Sequence, residues 1–371
     1  MIWVFILIAM LLAMGAGFTY LVSRLYKFKT IENMAKGNKK IRIVASIIPV
    51  ALVTIIIGLI IGYMNAIVCM LHLIMFWLLC DFIFWLIKKY CKKTFKQYYS
   101  GLIAVVITIG YLSVGWFLAH HVWETNYIIE TEKNVGNLRI IQFADSHVGV
   151  TFDGEGLTKY VEQMQKLNPD VVLITGDFVD DDTSKEDMIA ACKALGTLQT
   201  TYGVYFSFGN HDKGYYRAGY RGYTGDDLIE ELEKNKVIVL QDETVLIDDR
   251  YYIIGRQDFS EEGQGGSRAQ MNELVQGLDK DKFIIVMDHQ PHDYKNEAEE
   301  QVDLVLSGHT HGGQFFPITY VGEWTGENDK TYGLEKRKET NFIVTSGISD
   351  WAIKFKTGCK SEFVVVDVEG K

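Results

Sequence analysis

The chain has 371 residues with 37 basic and 47 acidic side chains, and its formal net charge is −10. The first 121 residues carry 12 basic and two acidic residues, so this part is net +10 and the remainder is net −20. Such an acidic remainder argues against unaided binding of nucleic acid, which depends on many Lys and Arg contacts to phosphates. The composition therefore predicts an apolar, basic N-terminal part followed by an acidic globular part.

The N-terminal part, residues 1–121, contains four apolar stretches, each with the roughly 20 residues that a bilayer span requires. They predict transmembrane helices at about 2–22, 43–62, 66–87 and 101–121. The second and third stretches are nearly continuous and are predicted to fold into a hairpin about residues 62–65.

The basic residues predict the orientation of these helices, because short cytoplasmic loops carry the excess of Lys and Arg. Seven basic residues lie between Arg24 and Arg42, five lie between Lys88 and Lys96, and the middle hairpin has none. The sequence therefore predicts a multi-pass protein of the cell membrane. Its N-terminus and the part from residue 122 onward are expected on the extracytoplasmic side.

The globular part is predicted to be one α/β domain, residues 138–371, after a short linker at 122–137. Apolar runs alternate with helical stretches at 157–167, 184–198, 226–235 and 267–278. Strands at 237–240, 244–247 and 251–254 have little helix between them, which indicates mixed sheets covered by helices. Pairing of Cys192 with Cys359 is left open by the spacing, and no C-x-x-C motif is present.

Five short stretches in this domain carry side chains of the kind that bind metals, and each follows an apolar run. They are Asp145-Ser146-His147, Gly176-Asp177, Gly209-Asn210-His211-Asp212, Asp288-His289 and Gly308-His309-Thr310-His311. Loops beyond the C-terminal ends of neighbouring strands meet at one edge of an α/β sheet. Taken singly, Asp177 has the features of a turn residue and His289 those of a buried core histidine, but the ordered series predicts one site.

The donor atoms indicate the type of metal site. The predicted ligands are Asp145, His147, Asp177, Asn210, His289, His309 and His311. This mixture of oxygen and nitrogen without thiolate suits Mn²⁺, Fe²⁺/Fe³⁺ or Zn²⁺ better than Ca²⁺. Seven donors exceed the needs of one tetrahedral ion. Two ions about 3.5–4 Å apart would suit attack of an activated water on a phosphoester.

The ordered series resembles the calcineurin-like metallophosphoesterase superfamily over roughly residues 138–368. The resemblance implies two mixed β-sheets between helices, with one ion held by Asp145, His147, Asp177 and His311. It implies a second ion held by Asp177, Asn210, His289 and His309, so that Asp177 bridges. It also implies that His211 is the catalytic histidine at the phosphate and that Asp212 orients it.

A narrower resemblance lies in residues 307–314, which are similar to the membrane-anchored bacterial branch related to UDP-2,3-diacylglucosamine hydrolases. The chain departs from that branch at Ser346 and Lys354, where members commonly carry arginine. The loop after Asp212 mixes tyrosines with Arg217 and Arg221, which are predicted to bind the phosphate of a lipid-linked substrate. The alternative is an ordinary loop that packs its tyrosines on the domain.

The sequence thus predicts a membrane-anchored, metal-dependent phosphoric ester hydrolase that cleaves a phosphoester or pyrophosphate bond, with a lipid-linked or cell-envelope substrate as the leading candidate. The first alternative is a phosphodiesterase of nucleotides or nucleic acid. The second is a catalytically silent, ligand-sensing module coupled to the membrane helices. The spacing of residues does not predict the oligomeric state.

Overall fold

The structure is a computed structural model that describes residues 2–93, 95–216 and 219–371, with the side chains of 2–11, 13 and 264 outside the description. Its internal contacts divide the chain into two compact units, residues 1–115 and residues 116–371. Each unit has its own hydrophobic clusters.

The first unit is helical. Its elements are α1 (Ile2–Leu25), α2 (Lys29–Ala35), α3 (Lys39–Ile61), α4 (Tyr63–Tyr90) and α5 (Tyr99–His120), which continues into the second unit. Asn38 caps α3 by accepting hydrogen bonds from the backbone amides of Lys40 and Ile41. Gly62, at φ 93°, separates α3 from α4, at the predicted hairpin.

Three of these helices, α3, α4 and α5, are long and apolar enough to cross a membrane by length and composition. They correspond to the predicted spans 43–62, 66–87 and 101–121. The fourth predicted span, 2–22, falls within α1, where the side chains of residues 2–11 and 13 lie outside the described part. It stays a prediction.

One partly buried carboxylate connects three helices of the first unit. Asp81 on α4 accepts hydrogen bonds from the hydroxyls of Tyr98, at 2.7 Å, and Ser100, at 2.6 Å. Its second oxygen lies 2.9 Å from Nε of Arg24 on α1. An ionisable group in an apolar helix needs such partners, and Asp81 therefore links α1, α4 and the start of α5.

The second unit contains two six-stranded mixed sheets. The first sheet has the order β1-β12-β2-β3-β4-β5 and the second β10-β11-β9-β8-β7-β6. The strands are β1 (Val122–Glu130), β2 (Asn137–Phe143), β3 (Val171–Thr175), β4 (Val204–Ser207), β5 (Val237–Val239), β6 (Glu243–Ile247), β7 (Tyr251–Gly255), β8 (Phe283–Met287), β9 (Leu304–Ser307), β10 (Gly333–Arg337), β11 (Thr340–Val344) and β12 (Ser361–Glu369). The helices are α6 (Leu157–Gln165), α7 (Lys185–Leu195), α8 (Gly225–Lys234), α9 (Met271–Leu274), α10 (Tyr294–Glu299) and α11 (Val321–Thr325).

Three hydrophobic clusters show how these elements are layered. Leu173 of the first sheet and Ile285 of the second belong to one cluster, which fills the space between the sheets. Side chains of α6, α7 and α8 pack on the first sheet, and those of α9 and α10 pack on the second. Every residue of β3 and of β8 is buried, which is usual for strands covered on both faces. The predicted form, mixed sheets covered by helices, is confirmed.

Two segments differ from the sequence prediction. Part of 122–137, predicted as a linker, forms β1, which pairs in parallel with β12 along its whole length. The helix predicted at 267–278 is reduced to the four residues of α9. The carboxylate of Asp242 accepts a hydrogen bond of 2.7 Å from the backbone amide of Ala269, which holds the chain in a non-helical conformation before α9 begins.

Candidate metal centre

The five predicted ligand stretches follow five strands whose C-terminal ends point the same way within each sheet. β2, β3 and β4 are parallel neighbours in the first sheet, and β8 and β9 are parallel neighbours in the second. Gln142 joins the two sheets near this edge by donating to the hydroxyl of Thr175, at 2.9 Å, and to the carbonyl of Ser307, at 3.0 Å. The topology therefore brings all five loops to one place.

The side chains form two groups whose potential ligand atoms lie within 4.8 Å of one another. The first group is Asp145, His147 and His311, and the second is Asp177, His289 and His309. The seventh predicted ligand, Asn210, lies beside the second group, with its Oδ1 2.9 Å from Nδ1 of His309. The grouping matches the division that the family resemblance implies.

Asp177 lies between the two groups. Its Oδ2 is 3.1 Å from Nε2 of His289 and 3.6 Å from Nε2 of His147. Its Oδ1 accepts a hydrogen bond of 2.8 Å from the backbone amide of His211. One carboxylate oxygen is thus close to a histidine of each group, as a bridging ligand must be.

The backbone at the ligands is unusual. Non-glycine residues seldom adopt positive φ, and when they do the strain is commonly found at functional sites. Five of the seven predicted ligands have positive φ, namely Asp145 at 55°, His147 at 38°, Asp177 at 52°, His309 at 69° and His311 at 47°. The fold holds these side chains in place against the backbone preference.

Gly176 and Gly308 allow the loops to approach closely. A Cβ at Gly176, where φ is 81°, would lie 2.7 Å from Nδ1 of His289. A Cβ at Gly308 would lie 2.7 Å from Oδ2 of Asp145. The same Cβ atoms would lie 2.6 Å from the backbone nitrogen of Gly209 and 2.5 Å from Cβ of Ala144, so glycine is required at both positions by the neighbouring loops.

The hydrogen bonds of His289 test whether the residues fit a metal. Its Nδ1 is 2.8 Å from the carbonyl of Thr175, which can only accept, so Nδ1 carries a proton. Its Nε2 is buried and has no partner in hydrogen-bonding geometry among the described residues, although it faces the Asp177 carboxylate. A lone pair and a carboxylate at this distance need a cation or a proton between them. The arrangement fits a divalent ion.

Charge and burial favour the metal-binding form at His309 and Asp177, whereas burial raises the pKa of the Asp145 carboxyl to about 6. Burial lowers the pKa of His309 to about 3, so this ring is neutral. Burial opposes ionisation of Asp177, but the nearby histidines outweigh it and hold the pKa of that carboxyl well below its usual range. Neutral imidazole and ionised carboxylate are the forms that bind metals.

His211 stands beside both groups. Its ring centroid is 5.1 Å from that of His147, 5.0 Å from that of Tyr215 and 6.0 Å from that of Trp351. Burial lowers the pKa of His211, and the charge of Asp177 opposes that change. The ring is thus a neutral imidazole next to the ligands and is positioned by aromatic neighbours.

Asp212 supports the loop that carries Asp177. Its fully buried carboxylate accepts hydrogen bonds from the backbone amides of Asp177, at 2.8 Å, Phe178, at 2.8 Å, Val179, at 3.1 Å, and Gly209, at 2.7 Å. Burial and the charge of Asp177 raise the pKa of Asp212 to about 7, and the amide donors oppose the rise. These four hydrogen bonds show that the Asp212 carboxylate holds the loop that carries Asp177. That Asp212 also orients His211 stays a prediction.

Of the two predicted substrate-binding arginines, Arg217 lies outside the described residues. Arg221 is 7% exposed and donates to the backbone carbonyls of Asp212, at 2.8 Å, Tyr223, at 3.2 Å, and Asp180, at 3.4 Å. Its guanidinium therefore supports the loops beneath the site, and contact with a substrate phosphate stays a prediction.

Two residues near the site were missed by sequence reasoning. Asp180 lies 3.3 Å from Nδ1 of His147, and its spacing three residues after Asp177 was the available signal. Lys356 is fully buried, and its Nζ donates to the carbonyls of Ser346 and Ser349 at 2.7 and 3.0 Å. The backbone amide of Ser349 in turn donates to the carbonyl of Asp145, so Lys356 holds a loop behind that ligand. A lone lysine gives no sequence signal for this role.

Comparison with known proteins agrees with this geometry. Residues 138–313 match the family described as calcineurin-like phosphoesterase. A transmembrane protein with metallophosphoesterase domain from Danio rerio is 30% identical over 278 residues, covering 72% of this chain and 62% of that protein. An uncharacterized metallophosphoesterase from Campylobacter jejuni is 28% identical over 236 residues, covering 63% and 60%. One from Aquifex aeolicus is 29% identical over 251 residues, covering 66% and 91%.

The matches thus span less than two thirds of the first two relatives' lengths. The family match, residues 138–313, includes all five loops of the candidate centre. Residues 138–313 therefore form a domain of the calcineurin-like metallophosphoesterase superfamily.

Proposed function

We propose that this protein is a membrane-anchored phosphoric ester hydrolase that depends on two divalent metal ions. The observation that carries the proposal is the position of the Asp177 carboxylate, which has one oxygen 3.1 Å from His289 of its own group and 3.6 Å from His147 of the other group. When bound, two such ions would supply Lewis acidity and an activated water for in-line attack at phosphorus. The metals are Mn²⁺, Fe²⁺/Fe³⁺ or Zn²⁺ on the donor chemistry.

The residues of the candidate centre have separate roles in this proposal. Asp145, His147 and His311 hold the first ion, Asn210, His289 and His309 hold the second, and Asp177 bridges them. His211 lies beside both groups without belonging to either. Its neutral ring can donate an N–H to a phosphate oxygen and assist departure of the leaving group. Asp212 fixes the Asp177 loop through its amide bonds.

The substrate is proposed to be a phosphoester at the membrane, with a lipid-linked or cell-envelope compound as the leading class. The support is the chain order: β1 begins at Val122, directly after α5 ends at His120. Four spans, with α1 as the first, and an extracytoplasmic domain are part of this proposal and rest on the charge of the loops. A reporter fused after Lys371 should be active only outside the cytoplasm, and activity inside would contradict the orientation.

Hydrolysis can be tested with the purified full chain in detergent, loaded with Mn²⁺. The probes are bis(p-nitrophenyl) phosphate, a nucleotide phosphodiester and a phospholipid with a phosphomonoester headgroup. Hydrolysis that is lost in His211→Ala and kept in His292→Ala supports the proposal, because His292 lies outside both ligand groups. No hydrolysis of any probe with any divalent ion would favour the ligand-sensing alternative. Hydrolysis of the nucleotide alone would favour the nucleotide phosphodiesterase.

A further inference from the structure

The segment that follows the metal-ligating His311 exposes an unusual number of large apolar side chains. Together with Trp351 they are called here the apolar rim. Its members are Phe316, 64% exposed, Ile318, 57%, Tyr320, 47%, Val321, 41%, Trp324, 73%, and Trp351, 40%. Soluble proteins rarely expose so many large apolar groups close together, and such surfaces mark binding sites.

Both parts of the rim, Trp351 and the segment after His311, are tied to the candidate active site. Trp351 is 6.0 Å from the ring of His211 between centroids, so one end of the rim borders the proposed catalytic histidine. At the other end, the backbone amide of Gln314 donates to the carbonyl of His311, which ties the start of the exposed segment to a ligand. Whatever covers the rim will therefore also lie at the entrance of the site.

The rim is also tied to the last turn of α5 within the second unit. The side chain of Gln314 donates to the carbonyls of Ile353 and Phe355, both at 3.0 Å. The ring of Phe355 lies 5.6 Å from that of Trp116, which stands in the last turn of α5. This turn ends a helix that is long and apolar enough to cross a membrane. The fold thus connects the rim to the point where the chain leaves the bilayer.

Its composition suits the surface of a bilayer. Tyrosine and tryptophan are enriched at membrane interfaces, where their rings lie at the level of the headgroups. Residues 315–325 contain one charged side chain, Glu323, and its carboxylate accepts a hydrogen bond of 2.6 Å from the backbone amide of Thr331. The segment has no basic residue, so contact with lipid would be apolar and would not require anionic headgroups.

We propose that the apolar rim rests on the bilayer that α5 enters and inserts Ile318 and Trp324 among the lipid headgroups. The site then faces phosphoesters carried by amphiphiles in that bilayer, and a soluble phosphoester gains nothing from the rim. This assignment of substrate class rests on the proposed hydrolase function. The contact of the rim with lipid does not, and can be measured without any reaction.

The contact is tested with the full chain in nanodiscs of phosphatidylcholine, by tryptophan fluorescence. The difference in emission between wild-type protein and Trp324→Ser gives the emission of Trp324. Brominated acyl chains should quench this emission, and iodide in the water should not. Quenching by iodide with none by the brominated lipid would overturn the proposal. An unchanged melting temperature of the variant shows that this exposed substitution leaves the fold intact.

The consequence for substrate choice is tested with the double variant Ile318→Ser, Trp324→Ser and the control Leu246→Ser, which changes an apolar side chain, 42% exposed, on the edge strand β6. For a phospholipid phosphomonoester in the nanodisc, kcat/KM should fall about tenfold or more in the double variant, since two apolar anchors are removed. For bis(p-nitrophenyl) phosphate it should not change. Equal rates on the lipid in all three proteins would refute the substrate class. If the wild-type protein hydrolysed neither probe, the proposed hydrolase function would be contradicted. The fluorescence quenching would still show whether the rim contacts lipid.

Discussion

Replacing Arg221 by methionine separates two roles for this residue. Loss of an arginine that binds substrate would raise KM and leave the free energy of unfolding unchanged. In the structure Arg221 is buried, and its guanidinium donates to the carbonyls of Asp212 and Tyr223 at 2.8 and 3.2 Å. The side chain joins the loop of the candidate centre to the start of α8. We therefore expect Arg221→Met to lower stability.

The size of the effect follows from the two shorter hydrogen bonds. A hydrogen bond that involves a charged group contributes about 1.5–3 kcal/mol, and the buried carbonyls would be left without these donors, so the loss is about 3–6 kcal/mol. For a domain of this size each kcal/mol lowers the melting temperature by about 2–4 °C, which predicts a fall between about 6 and 24 °C. Methionine keeps the length of the apolar stem, so the loss reports on the guanidinium.

The assay is thermal unfolding of the full chain in detergent, with KM for bis(p-nitrophenyl) phosphate measured at a temperature where the variant is folded. Lys185→Met is the matched control, because Lys185 is an exposed cation on the same surface as Arg221 and makes none of these carbonyl contacts. It should melt like the wild type. If Arg221→Met also melted like the wild type and raised KM, the reasoning from burial would be refuted.

The remaining predictions concern the centre itself. His211→Ala should lower kcat by about 10²–10⁴-fold, the usual contribution of a general acid or base, while metal content stays at the wild-type level; a parallel loss of metal would contradict a purely chemical role. Asp212→Ala should lower both metal content and melting temperature, since four backbone amides lose their acceptor, and retention of both would show that these bonds do not hold Asp177. Removal of metal by dialysis against a chelator should lower the melting temperature, which Mn²⁺ should restore; calorimetric curves that coincide with and without chelator would contradict a centre that stabilises the fold.

Much of the candidate centre could be predicted because its signals are local. Each ligand stretch comes after a short apolar run, and the ends of parallel strands meet at one edge. Asp145 and His309 are distant in sequence, yet the amide of His309 donates to Oδ1 of Asp145 at 3.0 Å. The order of strands and loops was sufficient to predict this meeting.

The supporting residues could not be predicted, because their partners are distant in sequence and are backbone groups. For Asp212 the family resemblance implied an orienting role toward His211, and it gave no sign that the carboxylate accepts from amides of the loop after β3. Arg221 stands in a tyrosine-rich stretch that resembles an exposed lip, but its partners are carbonyls of Asp180 and Asp212. The ammonium group of Lys356 donates hydrogen bonds to backbone carbonyls that only the folded chain brings together.

The tyrosines of the same stretch differ in burial, so some fit the predicted exposed lip and one fits a loop that packs on the domain. Tyr215, Tyr216 and Tyr220 are exposed, whereas Tyr223 is buried in the core beside α8. A pattern of tyrosines alone does not distinguish these cases, because the ring suits both a core and an interface. Burial of each ring depends on where Arg221 and the loop after β3 hold the chain.

The number of metal ions bound per chain tests the central claim most directly. The measurement is elemental analysis of the purified full chain after loading with Mn²⁺ and gel filtration, for the wild type, Asp177→Asn and the control Asp181→Asn, whose carboxylate accepts from the backbone of Tyr215. We expect two ions in the wild type and in the control, and fewer than one in Asp177→Asn, because both groups share that carboxylate. A single ion in the wild type, or two ions retained in Asp177→Asn, would contradict a centre bridged by Asp177.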